Sequence, residues 1–408
     1  MDLTRTEQML LQAIKAALCG RQVDWTDTSP QELDELMRLA LQHKLQPLAL
    51  QAIYDCPAAK AWPKLEENRQ RAKAQVVAQA AKTEEFLSLY QAFCYAGCLP
   101  LVIKGILCRE LYPNGDLRQS GDEDLFAAPQ QFSACCKVLR ENGFVPMGQA
   151  DIDTADEIGW HKQGSLLRVE LHRSLFSQKT EAVKDLQKFF AGSFEAQKTY
   201  RIKNGNSVSA MSEHDHLLYL ILHAYKHFIR SGFGVRQVCD IGLWAKTYRD
   251  EIDWSRLFRQ CEQAKVLKFA KAVFLIAQRE FSAAPELPEP WTQVEADPVP
   301  MLKDLLTAGI YGSADQNRAH TASVTQNSVS AQKRNRRGSF LKSVFPPKSA
   351  MQQDYPVLQK HGILLPIYWV KRLFTYRKEL GQNKTQGIAQ TVKIANERKK
   401  LLQLYDIL

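Results

Sequence analysis

The 408-residue chain has no hydrophobic run long enough to cross a bilayer. Its most apolar stretches, residues 217–225 (LLYLILHAY) and 362–370 (GILLPIYWV), fall well short of the ~20 residues that a spanning helix needs. The N-terminus, MDLTRTEQMLLQAIKAAL, turns acidic early and lacks a small-residue cleavage site, so it does not read as a secretory signal. No Cys-x-x-Cys pair occurs. The nine cysteines are odd in number and irregular in spacing, and form no disulfide or zinc framework. Cys94 and Cys98, four apart in a helical pattern, read as core packing. These absences point to a soluble protein of the reducing cytoplasm. The chain also lacks a GxxxxGK[ST], GxGxxG or GxSxG element in a suitable context, and no internal repeat is visible.

What is present is ordinary in bulk. Apolar residues make up 45% and charged residues 24%, a globular composition for two to four structural units. The net charge of +10 is placed unevenly. Residues 301–408 hold 18 Lys+Arg against 6 Asp+Glu, so the excess belongs to the C-terminal region. Such a region is a solvated basic face or attracts a polyanion. Its densest cluster, Lys333, Arg334, Arg336 and Arg337, lacks the interleaved aromatics of a single-strand stacking platform.

Periodicity divides the chain. Residues 1–97 read as helical, with Ser29 as a cap before Pro30 and a long helix over 64–97 that Gly97 ends. Residues 98–210 switch to strands near 99–103, 122–127, 144–147 and 166–172, with helices after Gly105 and over 129–142. Residues 211–284 return to helix, over 212–232, 236–250 and 254–282. Residues 285–408 begin with a proline-rich linker. They continue through a polar, basic stretch at 312–339 that lacks the apolar content to pack, and end in a basic helical segment. The fold class expected is α+β, a mixed sheet with helices embedded in mostly helical flanking regions.

The strongest local signal is Ser120-Gly121-Asp122-Glu123-Asp124-Leu125. In a strand, alternate side chains share a face, so Asp122 and Asp124 point the same way. Two carboxylates so placed suit a pair of divalent cations. Upstream, Lys104-Gly105 closes a strand and opens a helix, where a glycine lets backbone approach a phosphate. Downstream, the strand LLRVELH puts Arg168, Glu170 and His172 on its polar face. Glu170 is where a third ligand or a general base would sit, or else an exposed carboxylate paired with Arg168.

The run LVIKGILCRELYP…LRQSGDEDLF…LRENGF…VELH over residues 99–175 resembles the uncharacterised nucleotidyltransferases of the polymerase-β superfamily. HAYKHFIRSGFGVRQVCDIGLW at 223–244 and SVFPP…YPVLQKHGILLPIYWVKR near the C-terminus extend the resemblance. It implies a polymerase-β-like core and transfer of a nucleoside monophosphate from a nucleoside triphosphate to a hydroxyl, with pyrophosphate released. Asp122, Asp124 and Glu170 would be catalytic and hold two Mg²⁺ or Mn²⁺ ions. Lys104, Gly105 and Arg118 would lie against the triphosphate, and His161 and His172, flanking the third-acid strand, are further phosphate contacts. The acceptor is a small molecule, a protein side chain or an RNA end; residues 333–337 would touch it if it is a polyanion.

The sequence departs from the usual pattern at the Lys-Gly turn, at the seventeen positions separating Gly105 from Asp122, and at Glu123, which takes a position usually apolar. A charge there lies at a sheet edge, is paired, or marks a degenerate site. The alternatives are therefore a catalytically degenerate nucleotide sensor, and a nucleic-acid-binding protein acting through the basic C-terminal region. His223 and His227 share a helical face without the Glu of a zinc-hydrolase motif, and line the cleft or pack. Arg236 and Asp240, four apart, line it too or form a helix ion pair.

Overall fold

The computed structural model describes residues 3–308, apart from 149–150, 179, 203–204 and 231, together with 348, 351, 355, 357–371 and 388–408. Five helices come first: α1 (Arg5–Leu18), α2 (Pro30–Gln42), α3 (Gln46–Ile53), α4 (Pro57–Lys60) and α5 (Leu65–Tyr95). Ser29 caps α2 reciprocally with Glu32, and Pro30 fills the first helical position, where its missing N–H costs nothing. Leu33, Leu36, Met37 and Ala40 form the buried stripe of α2. The chain then reverses through Lys44, a non-glycine residue at φ 52°. The last third of α5 buries Phe86, Leu87, Leu89, Tyr90 and Phe93, and Gly97, at φ +69°, follows its end.

Seven strands form one mixed sheet. They are β1 (Leu101–Ile103), β2 (Glu123–Phe126), β3 (Phe144–Pro146), β4 (Glu157–Lys162), β5 (Arg168–His172), β6 (Lys198–Arg201) and β7 (Ser207–Ala210), in the order β3-β4-β5-β2-β1-β7-β6. Helices α6 (Gly105–Arg109) and α7 (Phe132–Glu141) join the early strands. The central pair, β2 and β5, runs parallel, while β1 is antiparallel to β2. The four strands expected from periodicity are present. Three more, β4, β6 and β7, are not evident from it. The short β6 and β7 are largely polar, and β4 interrupts its alternation with Gly159.

Helix α8 (Glu213–Phe228) is buried along most of its length and lies over the front of the sheet, where Lys226 reaches Glu157 of β4 at 3.8 Å. Then come α9 (Val235–Thr247), α10 (Trp254–Gln263) and α11 (Leu267–Phe281). The single helix expected over 254–282 is thus two. Between them the chain turns through Lys265 at φ 58°, outside helical space. In the proline-rich stretch Trp291 is buried and packs edge-on against Trp254, Phe258 and Phe274. Helix α12 (Val299–Ala308) follows. A helix at Ile388–Leu404 is tied to it by Arg398, which bonds Asp304 at 3.0 Å and the Phe228 carbonyl. The 312–339 stretch, with the basic cluster 333–337, lies outside the described residues. Among the described residues, no helix is long and apolar enough to cross a membrane.

Candidate active site

The register of β2 and β5 assembles the acids. Asp124 lies opposite Glu170, and Phe126 opposite His172. Strand alternation then puts Asp122 and Asp124 on the same face as Arg168, Glu170 and His172. One ligand atom from each of Asp124, Glu170 and His172 lies within 4.8 Å of the others, a group able to hold a metal ion. His172 Nε2 is 3.3 Å from Asp124 Oδ1 and 3.7 Å from Glu170 Oε2. Asp122 and Glu170 together line a hollow of about 210 Å³. His172, expected at a phosphate, therefore sits among the acids. His161 is exposed on β4 opposite Arg168, two residues beyond Gly159, which faces Glu170.

The electrostatics separate the three carboxylates. Burial works against the Asp124 anion, but Lys104 and His172 outweigh it and hold its pKa down at about 2. Lys104 Nζ is 3.0 Å from Asp124 Oδ2. On Glu170 the pull of His172 and Lys104 is outweighed. Burial, then the charges of Asp124 and Asp122, push it up to about 7. Burial and the Asp124 charge likewise raise Asp122, against the pull of Lys104 and Arg236. The face thus holds one carboxylate with an ammonium at contact distance and two that crowd it. Hard oxygen donors with one imidazole suit Mg²⁺ or Mn²⁺.

The back of β2 differs. Glu123 is buried in the middle of the sheet, not at its edge, because β2 lies between β1 and β5. Its Oε1 accepts from Arg109 Nη1 at 2.5 Å and from Ser120 Oγ at 3.2 Å; its Oε2 accepts from the Ile106 N–H at 2.8 Å. The Glu123 carboxylate thus occupies the amide that opens α6, where a phosphate was expected. This contact also demands Gly105: a Cβ there would lie 1.9 Å from Glu123 Oε2, and φ is +43°. The preceding Lys104 holds φ 63°, and its N–H donates to His216 Nε2 at 3.2 Å.

Arg118 and Asp240 form a buried two-point ion pair, Nε to Oδ1 at 2.7 Å and Nη2 to Oδ2 at 2.5 Å, joined by Tyr112 Oη at 2.9 Å. Arg236 and Asp240 are therefore not partners of one another, as their helical spacing suggested. The Arg236 guanidinium instead donates to the Gln119 carbonyl. His223 Nε2 lies 3.1 Å from Lys104 Nζ and 3.2 Å from His227 Nε2. Burial, reinforced by Lys104, drives the His223 pKa well down, so it faces the ammonium as a neutral ring. Around the smaller space between Lys104, Asp122 and Asp124 stand Gly105, Arg118, His223, Arg236 and Asp240. Most of the candidate residues are thus gathered into one cleft.

Two cleft residues were not among the candidates that the sequence offered for the site. Lys44 reaches the hollow from the α2–α3 turn, and its Nζ lies 3.7 Å from the Cβ position of Gly121. Arg168, which the sequence offered as a strand-surface partner for Glu170, lines the same hollow from β5.

A comparison with curated proteins finds no match. A family model described as uncharacterised nucleotidyltransferase matches residues 29–282, from the Ser29 cap of α2 to the C-cap Ser282 of α11. That span takes in the acids, the glycine turn, Lys44 and Arg236. With well over half of the chain inside the match, the protein belongs to this family of uncharacterised nucleotidyltransferases.

Proposed function

We propose that the protein is a divalent-metal-dependent nucleotidyltransferase whose catalytic residues are Asp122, Asp124 and Glu170 on a polymerase-β-like core over residues 98–210. The observation that carries this reading is the β2–β5 pairing, which sets Asp124 against Glu170 on the face that also bears Asp122. Asp122, Asp124 and Glu170, with His172 beside them, would hold Mg²⁺ or Mn²⁺. Such ions lower the pKa of a bound hydroxyl and neutralise charge on a leaving pyrophosphate.

The chain's own groups then have separate tasks. Glu170, opposite Asp124 across the β2–β5 pairing, takes the proton of the acceptor hydroxyl. The hydroxyl oxygen forms a bond to the α-phosphorus of the nucleoside triphosphate, the bond from that phosphorus to the bridging oxygen breaks, and pyrophosphate leaves. Lys104, whose ammonium lies 3.0 Å from Asp124, would contact phosphate beside the acids. His223 and His227 back Lys104 on the α8 side, and the Arg118–Asp240 pair holds α9 against the turn.

The direct test is incubation with each α-labelled triphosphate, Mg²⁺ and cell extract. Label transferred to an acceptor by the wild type, and lost in Asp124→Asn, supports the reading. Equal labelling by both proteins would end it. A degenerate sensor would instead bind triphosphate without labelling anything. Glu123, the residue that suggested degeneracy, is fully paired and faces away from Asp122 and Asp124.

A further inference from the structure

Three cations ring the hollow into which Asp122 and Glu170 open: Lys44 from the α2–α3 turn, Arg168 from β5 and Arg236 from the first turn of α9. They come from three separate elements. Asp122 and Glu170 offset part of this charge, but the three cations outnumber the two acids around the hollow. The Lys44 ammonium is held below its ordinary pKa by desolvation first and then by Arg236, with Arg168 adding and Asp122 opposing. Arg236 is more than nine-tenths buried, and its Nε has no hydrogen-bond partner. Arg236 lines both this hollow and the smaller space beside Lys104.

Two amides of the glycine turn are already engaged, that of Ile106 by Glu123 and that of Lys104 by His216. The three cations supply further donors for a phosphate entering the cleft. The hollow of about 210 Å³ has room for a phosphate-sized anion, with guanidinium forks that match its oxygens.

We infer that this hollow is a phosphate pocket, in which Lys44, Arg168 and Arg236 bind a phosphate group of a substrate beside Asp122 and Glu170. The inference rests on the nucleotidyl-transfer reading and makes the α2–α3 turn part of the substrate site. The phosphate belongs either to the tail of the nucleoside triphosphate or to a phosphorylated acceptor.

The test is calorimetric titration of the full-length protein with tripolyphosphate and with inorganic phosphate, with and without Mg²⁺. Lys44 and Arg168 are exposed, so Lys44→Met and Arg168→Gln should fold, which circular dichroism and melting temperature verify. Each should weaken tripolyphosphate binding by about 10-fold or more, the worth of one charge-assisted contact. Asp122→Asn should remove only the part of the affinity that needs Mg²⁺. Lys44-dependent phosphate binding that persists under saturating non-hydrolysable triphosphate assigns the pocket to the acceptor. Displacement of phosphate by the triphosphate assigns it to the nucleotide tail. Either outcome supports the pocket. Folded Lys44→Met and Arg168→Gln proteins that bind both probes like the wild type would overturn it, as would a wild type that binds neither. Failure of the metal reading looks different: binding would depend on Lys44 but not on Mg²⁺ or Asp122.

Discussion

The two faces of β2 treat carboxylates in opposite ways. On the back, Glu123 is met by Arg109, Ser120 and the Ile106 amide, so its charge is fully used within the fold. On the front, Asp122 and Glu170 crowd against Asp124, and among the described residues only Asp124 of the three has an ammonium at contact distance. Three successive acidic residues thus do two different jobs. Glu123 binds α6 to the sheet, whereas Asp122 and Asp124 crowd Glu170 beside a cleft that Lys44, Arg168 and Arg236 line.

Four experiments set one face against the other. The largest effect should come from the front. Asp122→Asn should lower nucleotidyl transfer roughly 10³-fold or more, the scale of losing a main electrostatic contributor to a transition state. It should leave the metal-free protein as stable as wild type, or more so, because a crowded charge is removed. A urea titration alongside the labelling assay checks both halves.

The back should behave in reverse. Glu123→Ala strands the Arg109 guanidinium in the core and should cost about 3–5 kcal/mol of unfolding free energy. Combining Arg109→Met with Glu123→Leu should recover much of that loss, since well-packed apolar residues can replace a buried ion pair. A double variant no more stable than Glu123→Ala would mean that the pair is more than a counter-charge.

Gly105→Ala comes next, at about 1–3 kcal/mol, because its Cβ would collide with Glu123 Oε2 at a positive φ. Adding Glu123→Ala should make the glycine substitution cheaper. Additive losses in a double-mutant cycle would show that φ, and not the contact, sets the requirement.

The smallest effect is on pH dependence. Glu170 ionises at about 7 in the fold, against about 4.3 in an unfolded chain. Above pH ~4.3 the unfolded chain releases this proton while the native state still holds it. Stability of the metal-free protein should therefore fall as pH rises from about 5 to 7 and level off above. Asp122, raised by the same neighbours, pushes in the same direction. Melting curves at pH 5, 6, 7 and 8 in chelator read this out, and Glu170→Gln should flatten them. Saturating Mg²⁺ should reverse the slope near pH 7, because ionised carboxylates bind it better. A slope unaltered in Glu170→Gln would place the titrating group elsewhere.

Much of this architecture was legible in local patterns. Ser29-Pro30 and Gly97 mark helix ends through backbone chemistry that acts within a few residues. The alternation in SGDEDLF and LLRVELH placed Asp122, Asp124 and Glu170 on polar strand faces before any pairing was known, since a period of two is a property of the strand alone. The residues of LVIKGILC and VELH carried the family resemblance that the match over residues 29–282 bears out.

What periodicity could not supply is which residue meets which. Arg236 and Asp240 have the spacing of a helix pair, yet Asp240 takes Arg118, because the α9 face that carries it is pressed against the segment after α6. Glu123 looked anomalous until Arg109 and Ile106 were seen beside it. Lys44 lies 78 positions before Asp122 in a segment with no chemical motif, and reaches Gly121 only through the turn between α2 and α3. Strand and helix periods follow from backbone geometry, which each stretch of sequence carries within itself. Counter-charges, and so the division of acids and cations into paired and available, depend on contacts between elements distant in sequence, and packing alone decides those.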